Sequence, residues 1–262
     1  MTDHARDKVA IVTGAGRGIG RGIALALAGV GMRVVVASRS AGSIKSTVDE
    51  IEAAGGVAHG LQVDIGDRAA VFSMVERTIE TFGRLDMLVN NAQGFGPAHA
   101  PASAPIIQPL ESFDEDEWEH TIRTGLTATL WSMKAAFPHM RERGGRIVNF
   151  ASEFGMIGRE GAAAYNSAKE GVRALSRTAA REWGKFGITV NVITPMVRTS
   201  ALETFEAADP AGMEAVRNEI PLRRFGDPLR DAGGLAQFLA SEASSYLTGM
   251  NFMLDGGHCM VP

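Results

Sequence analysis

Residues 9–29 read VAIVTGAGRGIGRGIALALAG. Five residues, Val9 to Thr13, run without a break into Gly14, Gly16, Gly18 and Gly20, after which the chain turns rich in Ala and Leu up to Gly29. A strand that turns on glycines into a helix aims the helix's first N–H groups at whatever lies ahead, an arrangement that receives a pyrophosphate. The strict G-x-G-x-x-G spacing is absent, because Ile19 stands where its third glycine would fall; the spacing is T-G-x-x-x-G-x-G. A glycine-rich turn alone is weak evidence, so its weight depends on the rest of the chain.

Beyond Gly29 the chain alternates regularly. Short apolar or β-branched runs recur at Arg33–Ala37, Ala58–Val63, Met87–Asn90, Arg146–Phe150, Thr189–Thr194 and Asn251–Leu254. Most are continuous rather than alternating, the pattern of strands buried on both faces of a parallel sheet. Between them the spacing predicts helices over Ile19–Gly29, Ile44–Ala54, Arg68–Phe82, Asp116–Arg141, Ala163–Phe186 and Leu229–Ser241. The sequence thus predicts an α/β fold: one Rossmann-type domain over 1–262, a doubly wound parallel sheet of about seven strands flanked by helices, with ligands outside the carboxyl ends of the strands.

Two stretches interrupt the alternation. Gln93 to Ser112 carries prolines at 97, 101, 105 and 109, which suits an extended loop at the carboxyl edge of the fourth strand. It reads equally as a surface insertion or as part of the site. Pro195 to Arg224 reads as a loop with one or two short helices, a candidate lid over 195–224.

Composition narrows the function classes. With 26 basic and 30 acidic side chains, a net charge of -4 offers no footprint for nucleic acid or an anionic membrane. No apolar stretch approaches the roughly 18 residues of a membrane helix, and Met1 to Lys8 carries no basic-then-apolar leader. The one cysteine, Cys259, cannot close an internal disulfide and fits a reducing compartment. The six histidines show no metal-ligand spacing with Cys or carboxylates, so no metal is implied. The expectation is a cytoplasmic protein acting on a small molecule.

The order of features resembles the short-chain dehydrogenase/reductase family over nearly the whole chain. Gly14, Arg17, Gly18, Ile19 and Gly20 match its nucleotide turn, Asp64 its adenine-side position, Asn91 and Ala92 its strand-supporting Asn-Asn-Ala, and Asp255-Gly256-Gly257 its closing turn. The resemblance implies that Pro195 and Thr199 (or Ser200) hold the nicotinamide end and that the protein is a homotetramer pairing its two long helices across subunits.

Charge bears on the choice of cofactor. An acidic residue about 20 positions beyond the glycine turn accepts the ribose hydroxyls of NAD and repels a 2′-phosphate. Here that place is Ser38 followed by Arg39, with Arg17 a second cation in the turn. A hydroxyl and two guanidiniums suit a phosphate dianion. The prediction is NADP(H), with NAD(H) as the other cofactor of such folds.

Ser152 and Tyr165-Asn166-Ser167-Ala168-Lys169 carry the chemistry. Tyr165 and Lys169 lie one helical turn apart on one face. Ketone reduction delivers hydride to carbon and a proton to oxygen, and a phenol with pKa about 10 exchanges protons at neutral pH only when a cation favours its ionised form. Lys169, together with an oxidised nicotinamide, supplies positive charge. Tyr165 is thus the predicted acid/base and Ser152 the group that orients the substrate oxygen. The family resemblance also has Lys169 grip the nicotinamide ribose.

The pattern is broken in four places. Gly125 stands where the family's catalytic asparagine, which helps hold a relay water, is expected; Gln93 replaces the glycine of Asn-Asn-Ala-Gly and sets an amide beside the nicotinamide end as a candidate substrate contact. Glu153 follows Ser152 where a small or apolar residue is usual, and reads as solvent-facing or paired with Arg159 more readily than as a substrate contact. Met196 replaces the glycine of Pro-Gly, and with Phe95, Phe154 and Met156 would form an apolar wall for a cyclic or aryl ketone. The rival from another class is a weak or inactive nucleotide-binding protein. A sugar-nucleotide epimerase would require a longer C-terminal region.

Overall fold

The computed structural model describes residues 5–260, and of residues 200, 201, 204 and 205 only the backbone. In chain order the elements are β1 (Val9–Thr13), α1 (Gly18–Gly29), β2 (Arg33–Ser38), α2 (Ala41–Ala53), β3 (Val57–Gln62), α3 (Arg68–Phe82) and β4 (Met87–Asn90). Then come α4 (Glu115–Ile122), a π turn over Arg123–Thr127, α5 (Ala128–Met140), β5 (Gly145–Phe150), α6 (Glu153–Ile157) and α7 (Ala163–Trp183). The last part holds β6 (Ile188–Pro195), α8 (Ser200–Ala208), α9 (Pro210–Glu219), α10 (Gly233–Ala240) and β7 (Asn251–Leu254).

The seven strands form one parallel sheet in the order β3-β2-β1-β4-β5-β6-β7. Both faces are covered, which is why the central strands read as unbroken apolar runs. Ala10, Val12, Val34, Val36, Val89 and Val148 pack under α1, α2 and α10, while Ile11, Val35, Leu88, Ile147 and Val190 pack under α3, α5 and α7. The winding reverses between β1 and β4, opening a crevice at their carboxyl ends.

Three departures from the sequence pattern bear on that crevice. The helix expected over Asp116–Arg141 is two helices divided by the π turn. Gly125 weakens the helix there, and Thr124 and Thr129 return their hydroxyls to the His120 and Gly125 carbonyls at 2.7 Å each. The short α6, capped by Ser152, leaves no helical signature in the sequence. The proline-rich loop is pinned at both ends, by a Phe95–Ala102 bridge and by Gln108, whose N–H donates to the Gly161 carbonyl at 2.9 Å. Residues 195–224 contain α8 and α9, the latter begun by Asp209 accepting from the Gly212 N–H and by Pro210. No described helix is long and apolar enough to cross a membrane.

Candidate active site

The glycine turn, the ends of β1, β2, β4, β5 and β6, and one face of α7 enclose a cleft of about 290 Å³. Gly14, Arg17, Gly18, Ile19, Ser38, Arg39, Asp64, Asn91, Ala92, Gln93, Tyr165, Lys169, Pro195 and Thr199 all line it. Positions spread over most of the chain are thus brought to one place by the winding of the sheet.

At the nucleotide end, Gly14 adopts a φ of 68°, and a Cβ on it would lie 2.7 Å from Asn91 Nδ2. Gly20 is wedged against the Gly14 carbonyl and does not line the cleft. Gly18 has open space before it. No side chain caps the start of α1, so its first N–H groups face the cleft without an internal partner. Thr13 and Asn91 hold the turn against β4: the Thr13 hydroxyl accepts from the Asn91 and Ala92 N–H groups at 3.0 and 3.1 Å, and Asn91 Nδ2 donates to the Thr13 carbonyl at 2.9 Å. Arg17 and Arg39 are exposed at the rim, and neither forms an ion pair among the described residues. Asp64 accepts from the Gly66 N–H at 2.8 Å, the geometry of a turn. Uncapped N–H groups and a glycine-lined floor fit the pyrophosphate of a dinucleotide, and two cations stand at the rim.

At the other end, Ser152 stands two residues beyond β5 at the start of α6, and Tyr165 and Lys169 project from α7. Tyr165 lies between the rings of Phe95 and Phe154, at centroid distances of 5.6 and 6.2 Å. Burial pushes its phenol above the usual value; the Ser152 hydroxyl works against this and the Glu153 carboxylate adds to it. Lys169 is buried, donates from Nζ to the Phe150 carbonyl at 3.1 Å and lies 5.5 Å from the centre of the Tyr165 ring. Burial lowers its pKa to about 8. The arrangement is a phenol held neutral beside a lysine that keeps its charge at neutrality and loses it as pH rises through about 8.

Several expectations change. Glu153 neither faces solvent nor pairs with Arg159: its Oε2 lies 3.0 Å from His258 Nδ1, and the other ring nitrogen reaches Glu219 at 3.6 Å. Arg159 instead stacks over Phe154 at 5.7 Å. Met196 is not a wall of the cleft but packs with Met213, Ile220 and Phe225 beneath α9, and Met156 reaches toward Asn251. Both long thioethers follow the apolar packing open to them. Gln93 lines the cleft, but its Nε2 is committed to the Gly94 and Thr121 carbonyls at 2.9 and 3.1 Å. Thr199 starts α8, its hydroxyl accepting from the Leu202 N–H at 3.2 Å, while the alternative, Ser200, has its side chain outside the described residues.

A family profile described as enoyl-(acyl carrier protein) reductase matches residues 14–258. The chain is 39% identical to a 12alpha-hydroxysteroid dehydrogenase of Clostridium sp., covering 95% of this chain and 96% of that one. It is 37% identical to a 3-oxoacyl-[acyl-carrier-protein] reductase of Synechocystis sp., covering 97% of each. The chain belongs to the short-chain dehydrogenase/reductase family. A trans-4-hydroxycyclohexanecarboxylate dehydrogenase of Sinomonas cyclohexanicum is 35% identical, over 98% of this chain and 95% of that one. A solved chain from Sinorhizobium meliloti, named for a short-chain alcohol dehydrogenase, superposes with a TM-score of 0.88 at 35% identity, covering 97% and 96%. As a member of this family the protein is an NAD(P)-dependent oxidoreductase of CH–OH and C=O groups.

Residues with no family signature also build the site. Asn149 at the end of β5 is fully buried, accepts from Asn90 Nδ2 at 2.8 Å and donates to the Ser176 hydroxyl at 2.9 Å, tying β4, β5 and α7 together beneath the cleft. Glu117, buried at the foot of the proline loop, accepts from Gln108 Nε2 at 2.9 Å. Burial pushes its carboxyl upward, and the Gln108 hydrogen bond opposes the rise. A polar residue inside an apolar strand is the available signal for Asn149; Glu117 has none beyond its place in an acidic run. Among the described residues no group of three His, Cys, Asp or Glu side chains is placed to hold a metal.

Proposed function

We propose that this protein is an NADP(H)-preferring carbonyl reductase or alcohol dehydrogenase for a cyclic or aryl substrate, with Tyr165 trading the proton. The observation that carries the reading is the phenol of Tyr165 held between Phe95 and Phe154, with Ser152 beside it and Lys169 one turn below. When bound, the nicotinamide supplies hydride to the carbonyl carbon or takes it from the alcohol.

The chain's own residues do the rest. The uncapped start of α1 binds pyrophosphate, and Ser38 with Arg17 and Arg39 meets the 2′-phosphate. Lys169 holds the nicotinamide ribose, Pro195 and Thr199 border the nicotinamide end, and the Ser152 hydroxyl orients the substrate oxygen toward Tyr165. In reduction the neutral phenol gives its proton to the developing alkoxide, and the nearby Lys169 cation steadies the phenolate left behind. Phe95, which lines the cleft, excludes water from the phenol and offers an apolar surface to a ring, while Phe154 packs behind Tyr165. Two relatives named for cyclic alcohols support that substrate class. We further propose a homotetramer in a reducing, cytoplasmic setting; Trp118 on α4 and Leu130 on α5 are 40% and 39% exposed, apolar area that a subunit partner would cover.

The test is consumption of NADPH and of NADH, followed by absorbance, against a panel of cyclic, aryl and short linear ketones. Turnover of a cyclic or aryl ketone with a kcat/KM higher for NADPH is expected. A preference for NADH would remove the cofactor assignment, and nucleotide binding without turnover of any carbonyl would leave the rival reading, which Gly125 favours.

A further inference from the structure

Gly125 and Gln93 face each other across the π turn. A Cβ built on Gly125 would fall on the Gln93 carboxamide, 3.0 Å from its Cδ, 2.9 Å from its Nε2 and closer still to its Oε1. The amide of Gln93 thus fills the volume that any side chain at position 125 would require. It does so from the end of β4, an element about thirty residues earlier in the chain.

The hydrogen bonds explain how it stays there. Nε2 spends its two protons on the Gly94 carbonyl, which fixes its own loop, and on the Thr121 carbonyl, which belongs to α4 just before the π turn. A π turn shifts the backbone partners of the residues around it, and the Thr121 carbonyl takes a donor from outside the helix. Oε1 points the other way and is buried without a partner, as are Thr121 Oγ1 and His120 Nε2 nearby. A Cβ on Gly94 would come within 2.6 Å of that His120 nitrogen, while Gln93 Oε1 lies against Gly125. Buried polar atoms rarely go unpaired, so a bare Oε1 held against Gly125 marks a position fixed by packing and by the two Nε2 hydrogen bonds.

The geometry points to Gln93 as a positioning residue coupled to Gly125: its carboxamide replaces, from the loop after the neighbouring strand, the side chain missing at 125, and braces the π turn against the end of β4 at the edge of the cleft. Gly125 is then the condition for Gln93 rather than a lost catalytic group. An effect on turnover rests on the oxidoreductase reading, but the pairing itself is a matter of packing.

A double-mutant cycle on the intact chain tests it, with Gln93→Gly, Gly125→Asn and the two together. Each single change is expected to lower kcat about 10- to 100-fold, with a smaller effect on the KM for ketone, since displacement of a site by about an ångström costs on that order. The double variant returns to within about fivefold of the parent, far above the product of the single losses. Gln93→Glu keeps the shape but sets an oxygen against two carbonyls; it should melt as a folded protein and lose turnover comparably. Additive losses, a double variant no better than the poorer single one, or unchanged kcat in Gly125→Ala, whose methyl must displace the amide, would overturn the coupling. If the parent turns over no carbonyl, the enzymatic reading fails by itself. The same cycle read in NADPH affinity by fluorescence titration still decides the pairing, with rescue supporting it and additivity rejecting it.

Discussion

In the proposed reaction Tyr165 starts as the proton donor. With burial holding the phenol above its usual pKa, the group keeps its proton across the neutral range and needs help to release it. Tyr165→Phe removes that proton while leaving the ring between Phe95 and Phe154. We expect kcat to fall by at least about 10²- to 10⁴-fold, the usual scale of general acid–base catalysis. NADPH affinity should be unchanged by fluorescence titration; a variant retaining most of its turnover would sink the assignment. Lys169 sets the pH range. Its pKa, lowered by burial from 10.5 to about 8, means that the cation beside the phenol is present below pH 8 and lost as pH rises through it. NADPH-driven reduction should therefore show log kcat/KM falling with unit slope above about pH 8. Stability runs the other way: the folded chain resists charging Lys169, so this residue's contribution to stability improves between pH 8 and 10.5, where the unfolded chain binds the extra proton. Arg39 brings a cation to the rim with no carboxylate to neutralise it among the described residues. Arg39→Glu should reverse the cofactor preference in kcat/KM, and a variant that still favours NADPH would place the phosphate elsewhere.

Elements determine which residues the sequence can reveal. The glycine turn, Ser152 and the Tyr165–Lys169 pair are legible because each depends on local spacing: a strand end, a helix start, one turn of α7. Glu153 is not, because its partner, His258, lies 105 residues away, brought alongside only by the packing of the chain after β7. Met196 is hidden for a similar reason, since α9 supplies apolar neighbours that no spacing near residue 196 announces. The break between α4 and α5 is masked because a π turn adds one residue without altering the apolar pattern visibly. Asn149 is the element-scale feature with the clearest energetic consequence. Its side chain joins two strands and a helix, so Asn149→Leu strands the Asn90 amide in a dry interior and should lower stability by about 1–3 kcal/mol. Calorimetric melting measures this, and an unchanged melting temperature would mean that Asn90 finds another acceptor.

For the whole molecule, the parallel order β3-β2-β1-β4-β5-β6-β7 and its two covered faces agree with the continuous apolar strands, from which a doubly wound sheet is legible. Assembly is legible only through family resemblance. The apolar area at Trp118 and Leu130 leads us to expect a mass near four times 27.8 kDa by light scattering; a value near 27.8 kDa would show those side chains to be tolerated in water.

Because all strands run the same way, the proline loop after β4 and the α8–α9 segment after β6 emerge on one rim, opposite the amino ends that anchor the sheet. Exchanged beyond Phe95 and Thr199, each stretch leaves in place the turn before α1 and the residues of the chain that touch the Tyr165–Lys169 face of the cleft. Chimeras built on this chain should therefore acquire a donor's taste in ketones while keeping the parent's choice of nucleotide.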